Sequence, residues 1–185
     1  MALVDTSPSE WHAGEEQMHR LLHVPHNGNP TSPGLSAHSM RLLHKSSLIA
    51  IGTLDDHGLP WTTVLAGEPG FARSLGQSIV GVKALGVPKF DPVLGSLLGS
   101  TENATIHAQE KSRKPFSALG IHLATRDRVK LWGKMIAGAL TTQDSDNEKT
   151  EEDKTEAQMV FAIQASLGRY PLCCHYKFQS LSRGR

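Results

Sequence analysis

The chain has 185 residues, of which 38% are hydrophobic and 20% charged, with a formal net charge of +1. This size predicts one domain with peripheral additions. The near-zero net charge favours neither nucleic acid nor a membrane as a partner.

No apolar run approaches the roughly 20 residues that a membrane-spanning helix needs. The first residues, MALVDTSPSEWHAGEE, lack the basic and apolar regions of a signal peptide. Cys173 and Cys174 are adjacent, so they indicate no disulfide framework. We therefore expect a cytoplasmic protein.

Two short helices are predicted before the first strand. Ser9 is a candidate cap for a helix that runs to about His23, and Ser36 for one that ends near Lys45. The connector from His26 to Pro33 is rich in Pro, Gly and polar residues. We assign residues 1–45 to an N-terminal helical segment that packs on the following domain.

The segment from Ser46 to Phe71 reads as a strand, a tight turn and a returning strand. The turn is Asp55-Asp56-His57-Gly58, where Gly58 supplies the positive φ that short hairpins need. The returning strand carries Trp61-Thr62-Thr63-Val64-Leu65. Its two threonines place hydroxyl groups on an otherwise apolar surface.

One short helix, a second hairpin turn and five further strands are predicted after the first hairpin. Asp91-Pro92 predicts the start of a short helix to Leu98, because proline suits the first helical position. Thr125 to Arg128 reads as a hairpin turn. The strand candidates after the first hairpin are Ser78–Val82, Ala104–Ala108, Phe116–Ala124, Val129–Leu140 and Ala157–Ala165.

A polar insertion interrupts the last pair of strands. Residues 144–156 carry seven acids and two lysines, a net charge of −5, which leaves about +6 on the rest of the chain. The whole stretch 141–156 lacks apolar periodicity, so we expect a mobile acidic insertion.

About six strands with peripheral helices predict a mainly β fold, a six-stranded antiparallel split β-barrel. This domain would span residues 46–168, with residues 169–185 as a C-terminal tail. A barrel of this size is filled by its own side chains, so a large ligand must bind at its rim or at a subunit interface. A two-fold partner completes an open groove most simply, and we expect a homodimer.

Three cations lie in the second hairpin turn and directly after it. Arg126, Arg128 and Lys130 alternate, so they project from one face if the strand begins at the turn. Arginine binds phosphate through paired donors. From spacing alone, a solvated outer face of the barrel is the simpler interpretation.

Three motifs in the chain favour a ligand site over a solvated face at these cations. They are Gly58-x-Pro60-Trp61, Gly67-Glu68-Pro69-Gly70-Phe71 and Thr125-Arg126-x-Arg128-Val129 with Gly133 behind it. In this order they resemble the pyridoxamine 5′-phosphate oxidase-like, FMN-binding split-barrel family, in a subgroup related to flavin-nucleotide-binding proteins. The resemblance covers roughly Trp11 to Gly168.

The resemblance implies an FMN-binding flavoprotein, an oxidoreductase of unknown substrate, in which FMN lies between the subunits of a homodimer. It places one strand along the flavin and basic residues near the phosphate. Lys89 precedes a helix start, where a phosphate contact is common, and Lys83 is a second, weaker basic candidate. The implied cofactor-binding residues are Thr62, Thr63, Val64, Leu65, Lys89, Arg126, Arg128 and Lys130.

No catalytic acid, base or nucleophile can be identified, and no metal site is expected. His19 and His23 have the i, i+4 spacing of metal ligands, but no third ligand frame accompanies them. A solvated helix face is the simpler interpretation. The chain also has no Ser-His-Asp order and no phosphate-binding glycine loop.

An alternative function stays open because the chain departs from the family near its end. The subgroup carries Asn-Cys-Pro-Lys-Tyr after a glycine, whereas Gly168 is followed here by Arg169-Tyr170-Pro171-Leu172-Cys173. The alternative is a split-barrel dimer with weak or no flavin binding that acts as a binding or interaction module. A third function is electron transfer with a separate reductase.

Overall fold

The computed structural model describes residues 11–24, 29–76, 78–88, 90–99, 105–107, 114–142 and 155–169. Three helices fall in these ranges: α1 (Ala13–Leu21), α2 (Ala37–Lys45) and α3 (Pro92–Leu98). Nine strands fall in them as well: β1 (Ser32–Pro33), β2 (Leu48–Leu54), β3 (Pro60–Ala66), β4 (Ala72–Gly76), β5 (Ile79–Leu85), β6 (Thr105–His107), β7 (Pro115–His122), β8 (Asp127–Thr142) and β9 (Thr155–Arg169).

The helix starts follow from local capping chemistry. The Ser36 hydroxyl accepts a hydrogen bond from the Ser39 N–H at 3.1 Å, and Asp91 Oδ1 accepts from the N–H groups of Val93 and Leu94 at 2.8 and 3.0 Å. These bonds satisfy donors that the first turn of a helix leaves unpaired. The predicted starts of α2 and α3 are therefore confirmed.

The helix α1 begins later than its predicted cap. Its N-cap is His12, whose ring nitrogen accepts from the Gly14 N–H at 3.1 Å while the Glu15 carboxylate accepts from the His12 N–H at 2.9 Å. This reciprocal pair is a capping box. Ser9 lies outside the described residues, and α1 has no buried residue.

The strands form one antiparallel sheet in the order β3-β2-β7-β8-β9-β5-β4, with β1 paired to β9 and β6 to β8. The hydrogen-bonded path does not close on itself within the described residues, although β3 and β5 approach each other. The mainly antiparallel class with peripheral helices is confirmed, as a partly open barrel.

The strand count differs from the prediction: nine strands lie in the described ranges where six were expected. The short strands β1 and β4 were not predicted. The sequence of β4, Ala72-Arg73-Ser74-Leu75-Gly76, has no alternation of apolar and polar residues, and a bulge lies between Ser74 and Gly76. Its pairing is decided by the neighbouring strand β5, which a local pattern cannot show.

The two long strands, β8 and β9, pair with each other along most of their length and carry the sheet around the core. Register shifts lie at Trp132/Gly133 and Met135/Ala137, and bulges of this kind bend a strand. A side chain at Gly133 would lie 1.9 Å from the Ala162 carbonyl oxygen. Glycine therefore permits the close backbone approach at the first bulge.

The core fills the concave side of the sheet. Alternate residues of each strand point inward, among them Ile49 and Ile51 of β2 and Val129 and Leu131 of β8, all almost fully buried. The helices α2 and α3 cover this inner face through Leu42, Leu43, Val93, Leu94, Leu97 and Leu98.

Several predictions fall on parts of the chain outside the described residues. These are Lys89, both cysteines, nearly all of the C-terminal tail and residues 143–154 of the acidic insertion. The strands on either side of the insertion do pair directly, with Thr142 opposite Thr155. In the described part of the chain, no helix combines the length and apolar character that crossing a membrane requires.

Candidate functional site

The outer face of the strands β3, β2, β7 and β8 carries two of the predicted sites. One row of cross-strand partners is Val64, Ala50, Leu119 and Lys130, and the next is Ala66, Leu48, Ile121 and Arg128. Directly opposed residues point to the same side of a sheet. We call this side the outer face. Its side chains are half-buried or exposed, and Val64 is 63% exposed.

The predicted flavin-lining strand divides between the two faces. Thr62 and Val64 lie on the outer face, whereas the Leu65 side chain is buried in the core. Thr63 is half-buried, and its hydroxyl donates to Asp91 Oδ2 at 2.5 Å. The Thr63 hydroxyl thus ties β3 to the cap of α3, and Thr62 and Val64 are the members of this set available to an outer ligand.

Two of the three predicted cations of the second hairpin lie on the outer face, and the third lies in a turn. Arg128 and Lys130 are exposed on the outer face, while Arg126 precedes β8 in a turn with φ of +60°. Strand alternation therefore does not place Arg126 beside the other two. Arg128 on β8 and Ala66 on β3 belong to the same cross-strand row and are three strand spacings apart. At 4.8 Å per spacing this is about 14 Å. One copy of the chain does not bring these two sets together.

The turn before β8 is ordered by a chain of polar side chains. Thr125 Oγ1 donates to Asp127 Oδ2 at 2.7 Å and lies 2.8 Å from His122 Nδ1. These contacts fix the turn that precedes Arg128. Because Thr125 lies within two or three residues of both side chains that it contacts, these contacts stabilise the turn.

The first hairpin is fixed by Asp55. Its Oδ1 accepts from the N–H groups of His57 and Leu59, both at 2.8 Å, and its Oδ2 accepts from Trp61 Nε1 at 3.0 Å. The indole hydrogen bond is the main cause that lowers the pKa of Asp55, and the backbone bonds add to it. The turn and the adjacent start of β3 are thereby held in one geometry.

A groove of about 830 Å³ begins where the outer face reaches Ala66. We call it the β4–β5 groove. Its apolar lining comes from Ala66, Pro69, Phe71, Leu75, Val82, Leu85, Met159 and Val160, and its polar lining from Glu68, Arg73, Lys83 and Gln158. This size and mixture are typical of small-molecule sites.

Two glycines allow the wall of the groove to form. A side chain at Gly67 would lie 2.6 Å from the Phe71 ring, and one at Gly81 would lie 2.9 Å from Leu75 Cδ1. Without these side chains, Phe71 and Leu75 can lie over the backbone. The motif Gly67-Glu68-Pro69-Gly70-Phe71 therefore supplies part of the groove, a role that the sequence analysis did not assign to it.

The cations of the groove differ in their pairing. Lys83 Nζ lies 3.0 Å from Glu156 Oε2, and Gln158 Nε2 donates to Glu156 Oε1. The Gln158 hydrogen bond lowers the pKa of the nearly buried Glu156, and Lys83 adds to this while burial opposes it. Arg73 has no carboxylate partner within the described residues. It is therefore the cation of the groove that an anionic ligand can engage.

Lys83 is a weaker candidate from the sequence, and Arg73 is not predicted from it. The sequence of β5 indicates that Lys83 is exposed, because Val80, Val82 and Ala84 alternate with Gly81, Lys83 and Leu85. That pattern predicts one buried and one exposed face, but β4 gave no such pattern. Among the described residues, no three His, Cys, Asp or Glu side chains are grouped to hold a metal ion.

No family model and no curated protein matches the chain by sequence. In shape it is similar to several solved structures. HupZ of Group A Streptococcus is 8% identical, with 74% of this chain and 95% of that chain covered and a TM-score of 0.42. A Clostridium acetobutylicum protein related to general stress protein 26, of the pyridoxinephosphate oxidase family, is 10% identical, with 71% and 85% covered and a TM-score of 0.38.

A third similar structure is a pyridoxamine 5′-phosphate oxidase-related, FMN-binding protein from Nostoc punctiforme. It is 10% identical, with 68% of this chain and 75% of that chain covered and a TM-score of 0.34. The Clostridium and Nostoc proteins are described by the oxidase family that the sequence motifs resemble. At such identities and TM-scores they carry no argument about this chain's chemistry, which rests on its own groove and outer face.

Proposed function

We propose that the chain is a homodimeric flavoprotein that binds FMN in the β4–β5 groove and acts as an oxidoreductase. The observation that carries the proposal is the groove itself, in which apolar walls meet Arg73, a cation with no carboxylate partner in the described part of the chain, at the end of β3. The sequence motifs of the flavin family supply the independent reason to choose a flavin among ligands of that size.

The lining fits the two chemical parts of FMN. Phe71, Leu75 and Val160 offer apolar surface to a flat aromatic ring system, while the phosphate needs charged donors. Arg73 supplies such donors, whereas Lys83 already forms an ion pair with Glu156. The bound flavin would supply the redox chemistry, and this chain would bind and orient it and exclude water.

A second copy of the chain is the proposed cover of the outer face. The strand β2, Leu48–Leu54, is apolar on both of its faces, a pattern typical of strands that are covered on both sides. Its inner residues are buried, whereas its own Leu54 and Val64 of the adjacent β3 are exposed on the outer face. A two-fold partner would cover them and could bring its own Arg128 toward the groove.

Calorimetric titration of FMN tests the cofactor. Arg73→Ala should weaken FMN binding by about 1.5–3 kcal/mol, the range for a hydrogen bond to a charged group, or roughly 10- to 150-fold. Riboflavin, which lacks the phosphate, should bind Arg73→Ala and the original chain alike. Arg20→Ala, on α1, is the matched control and should change neither affinity.

Arg128→Ala tests the shared site in the same titration. A loss of FMN affinity similar to that of Arg73→Ala is expected if a second copy contributes its Arg128. An unchanged affinity would remove Arg128 from the site. Failure of the original chain to bind FMN would reject the flavoprotein.

Sedimentation tests the dimer. The chain should sediment at twice its monomer mass at micromolar concentration. Val64→Arg should yield a folded monomer, because Val64 is exposed on the outer face and a charge there opposes burial. Val24→Arg, at an exposed valine beyond α1, should leave the dimer intact. A monomeric original chain would reject the shared site.

The second candidate is an interaction module without flavin. It is favoured by the altered sequence after Gly168 and by the same uncovered outer face. A dimer that is stable in sedimentation and does not bind FMN would support it. An FMN-binding dimer that accepts electrons from a separate reductase but oxidises no substrate would support the electron-transfer function.

A further inference from the structure

A second recess, of about 430 Å³, lies between α2 and β4. It is lined by Met40, Arg41, His44, Lys45, Arg73 and Ser74. Four of these six side chains are arginine, lysine or histidine, and none is a carboxylate. We call it the basic recess.

The recess is built from two separate elements. Arg41, His44 and Lys45 have i, i+3 and i+4 spacing, so they share one side of α2. Arg73 comes from β4, which packs against α2. All four are exposed, and within the described residues none of them forms an ion pair.

The loop before β4 is shaped to admit the His44 ring. Gly70 has φ of +94°, a conformation that other residues rarely adopt. A side chain at Gly70 would lie 3.2 Å from His44 Cε1. Because Gly70 has no side chain, the His44 ring can lie at the wall of the recess.

The helix dipole explains only part of this arrangement. Cations in the last turn of a helix stabilise it, which accounts for His44 and Lys45. It does not account for Arg73, which the sheet brings to the same recess from outside the helix. Like charges brought together without a counter-charge repel one another, and an anion removes that repulsion.

We propose that the basic recess binds a phosphate-bearing organic molecule at a site separate from the flavin phosphate. Arg41 supplies forked donors that match phosphate oxygens, and Lys45 adds a second cation. Arg73 lines both the recess and the β4–β5 groove, so it adds a third cation to the recess where no flavin phosphate engages it. Met40 supplies an apolar surface for the organic part. Arg41, His44 and Lys45 stay available to a ligand of the recess when a flavin occupies the neighbouring groove, because these three side chains do not line that groove.

Calorimetric titration at low salt with three probes tests the proposal: phenyl phosphate, inorganic phosphate and phenol. Phenyl phosphate should bind more tightly than inorganic phosphate, and phenol should not bind. Arg41→Ala should weaken phenyl phosphate binding about tenfold or more, and Lys45→Ala by less, because lysine makes no forked contact. Both positions are exposed on a helix, where alanine is well tolerated.

Lys134→Ala, at an exposed lysine on β8, is the matched control for a general loss of charge. It should leave phenyl phosphate binding unchanged. An equal loss in Lys134→Ala and Arg41→Ala would overturn the proposal, as would a lack of binding by the original chain. Tighter binding of inorganic phosphate than of phenyl phosphate would overturn the organic ligand.

FMN titration of Arg41→Ala separates this site from the proposed cofactor site. FMN affinity should be unchanged, while phenyl phosphate affinity falls. A parallel loss of both would show that the recess holds the flavin phosphate and would overturn the second site. Phenyl phosphate binding in a chain that fails to bind FMN would support the recess and reject the flavoprotein.

Discussion

The strands β2, β3, β7 and β8 carry apolar side chains on both faces, but the two faces meet different surroundings. On the inner face, Ile49, Leu65 and Leu131 are at most 3% exposed beneath the helices and the rest of the sheet. On the outer face, Val64 is 63% exposed, although it has the same kind of side chain. Burial therefore depends on what covers a face, and we expect the inner face to determine stability and the outer face to determine association.

The largest effect expected from this comparison is at Phe161. It is almost fully buried, and its ring centre lies 4.1 Å from that of Phe116. Phe161→Ala should lower the free energy of unfolding by about 3–5 kcal/mol, because it removes apolar contacts and leaves a cavity. Denaturant unfolding at a fixed protein concentration measures this.

Val64→Ala is the outer-face control for Phe161→Ala. In the monomer it should change the free energy of unfolding by less than about 0.5 kcal/mol. Because a dimer adds concentration-dependent stability, Phe161→Ala and Val64→Ala are each compared with the original chain at a protein concentration low enough to keep all three monomeric. Similar losses at both positions would show that the two faces are packed alike.

A smaller loss is expected at the inner-face bulge of β8. Gly133→Ala should destabilise the fold by about 3 kcal/mol, because the new methyl group would meet a backbone carbonyl that cannot move independently. Gly95→Ala in α3 is the control, since no heavy atom lies within 4 Å of its added side chain. It should stabilise the helix by about 0.5–1 kcal/mol. Thermal unfolding that fails to separate the two variants would contradict the close approach.

The smallest effect is the acid sensitivity of Glu156. Its pKa is lower in the folded state than the ordinary value of 4.5, so its stabilisation is complete above about pH 4.5 and is lost as the pH falls through the folded pKa. At neutral pH, Glu156→Gln should cost on the order of 1 kcal/mol. The difference between the two proteins should shrink toward pH 3.

Glu16→Gln is the control for that pH series. Glu16 pairs with Arg20 at 3.5 Å on exposed α1, where an ion pair contributes little. Its substitution should leave the pH dependence of stability unchanged. An equal response in both variants would contradict a specific role for the Lys83 and Gln158 contacts.

Local chemistry made part of the fold predictable. The turn at Asp55 to Gly58, the Ser36 cap and the Asp91-Pro92 helix start are all confirmed, because each depends on side chains within a few residues of the backbone they bind. The strands β1 and β4 were missed for the opposite reason. They are short, and their partners, β9 and β5, are distant or lie beyond a bulge.

The candidate site was predictable only in part. The motifs identified the segments, but Thr63 turned out to bind Asp91 and Leu65 to lie in the core. The sequence could not show that Lys83 pairs with Glu156 while Arg73 has no carboxylate partner among the described residues, because such pairings join separate strands. The assignments of cofactor-binding residues, including Lys89, stay predictions.

The sequence by itself determined the antiparallel class, the first hairpin and two helix starts, because turns, caps and alternation act over a few residues. Only the tertiary structure decided which face of each strand is covered, where the groove opens and how Arg41 and Arg73 come to share the basic recess. The physical reason is that burial and charge pairing depend on contacts between distant segments. Those contacts arise from the register of the sheet and the bulges in β8, which no single segment specifies.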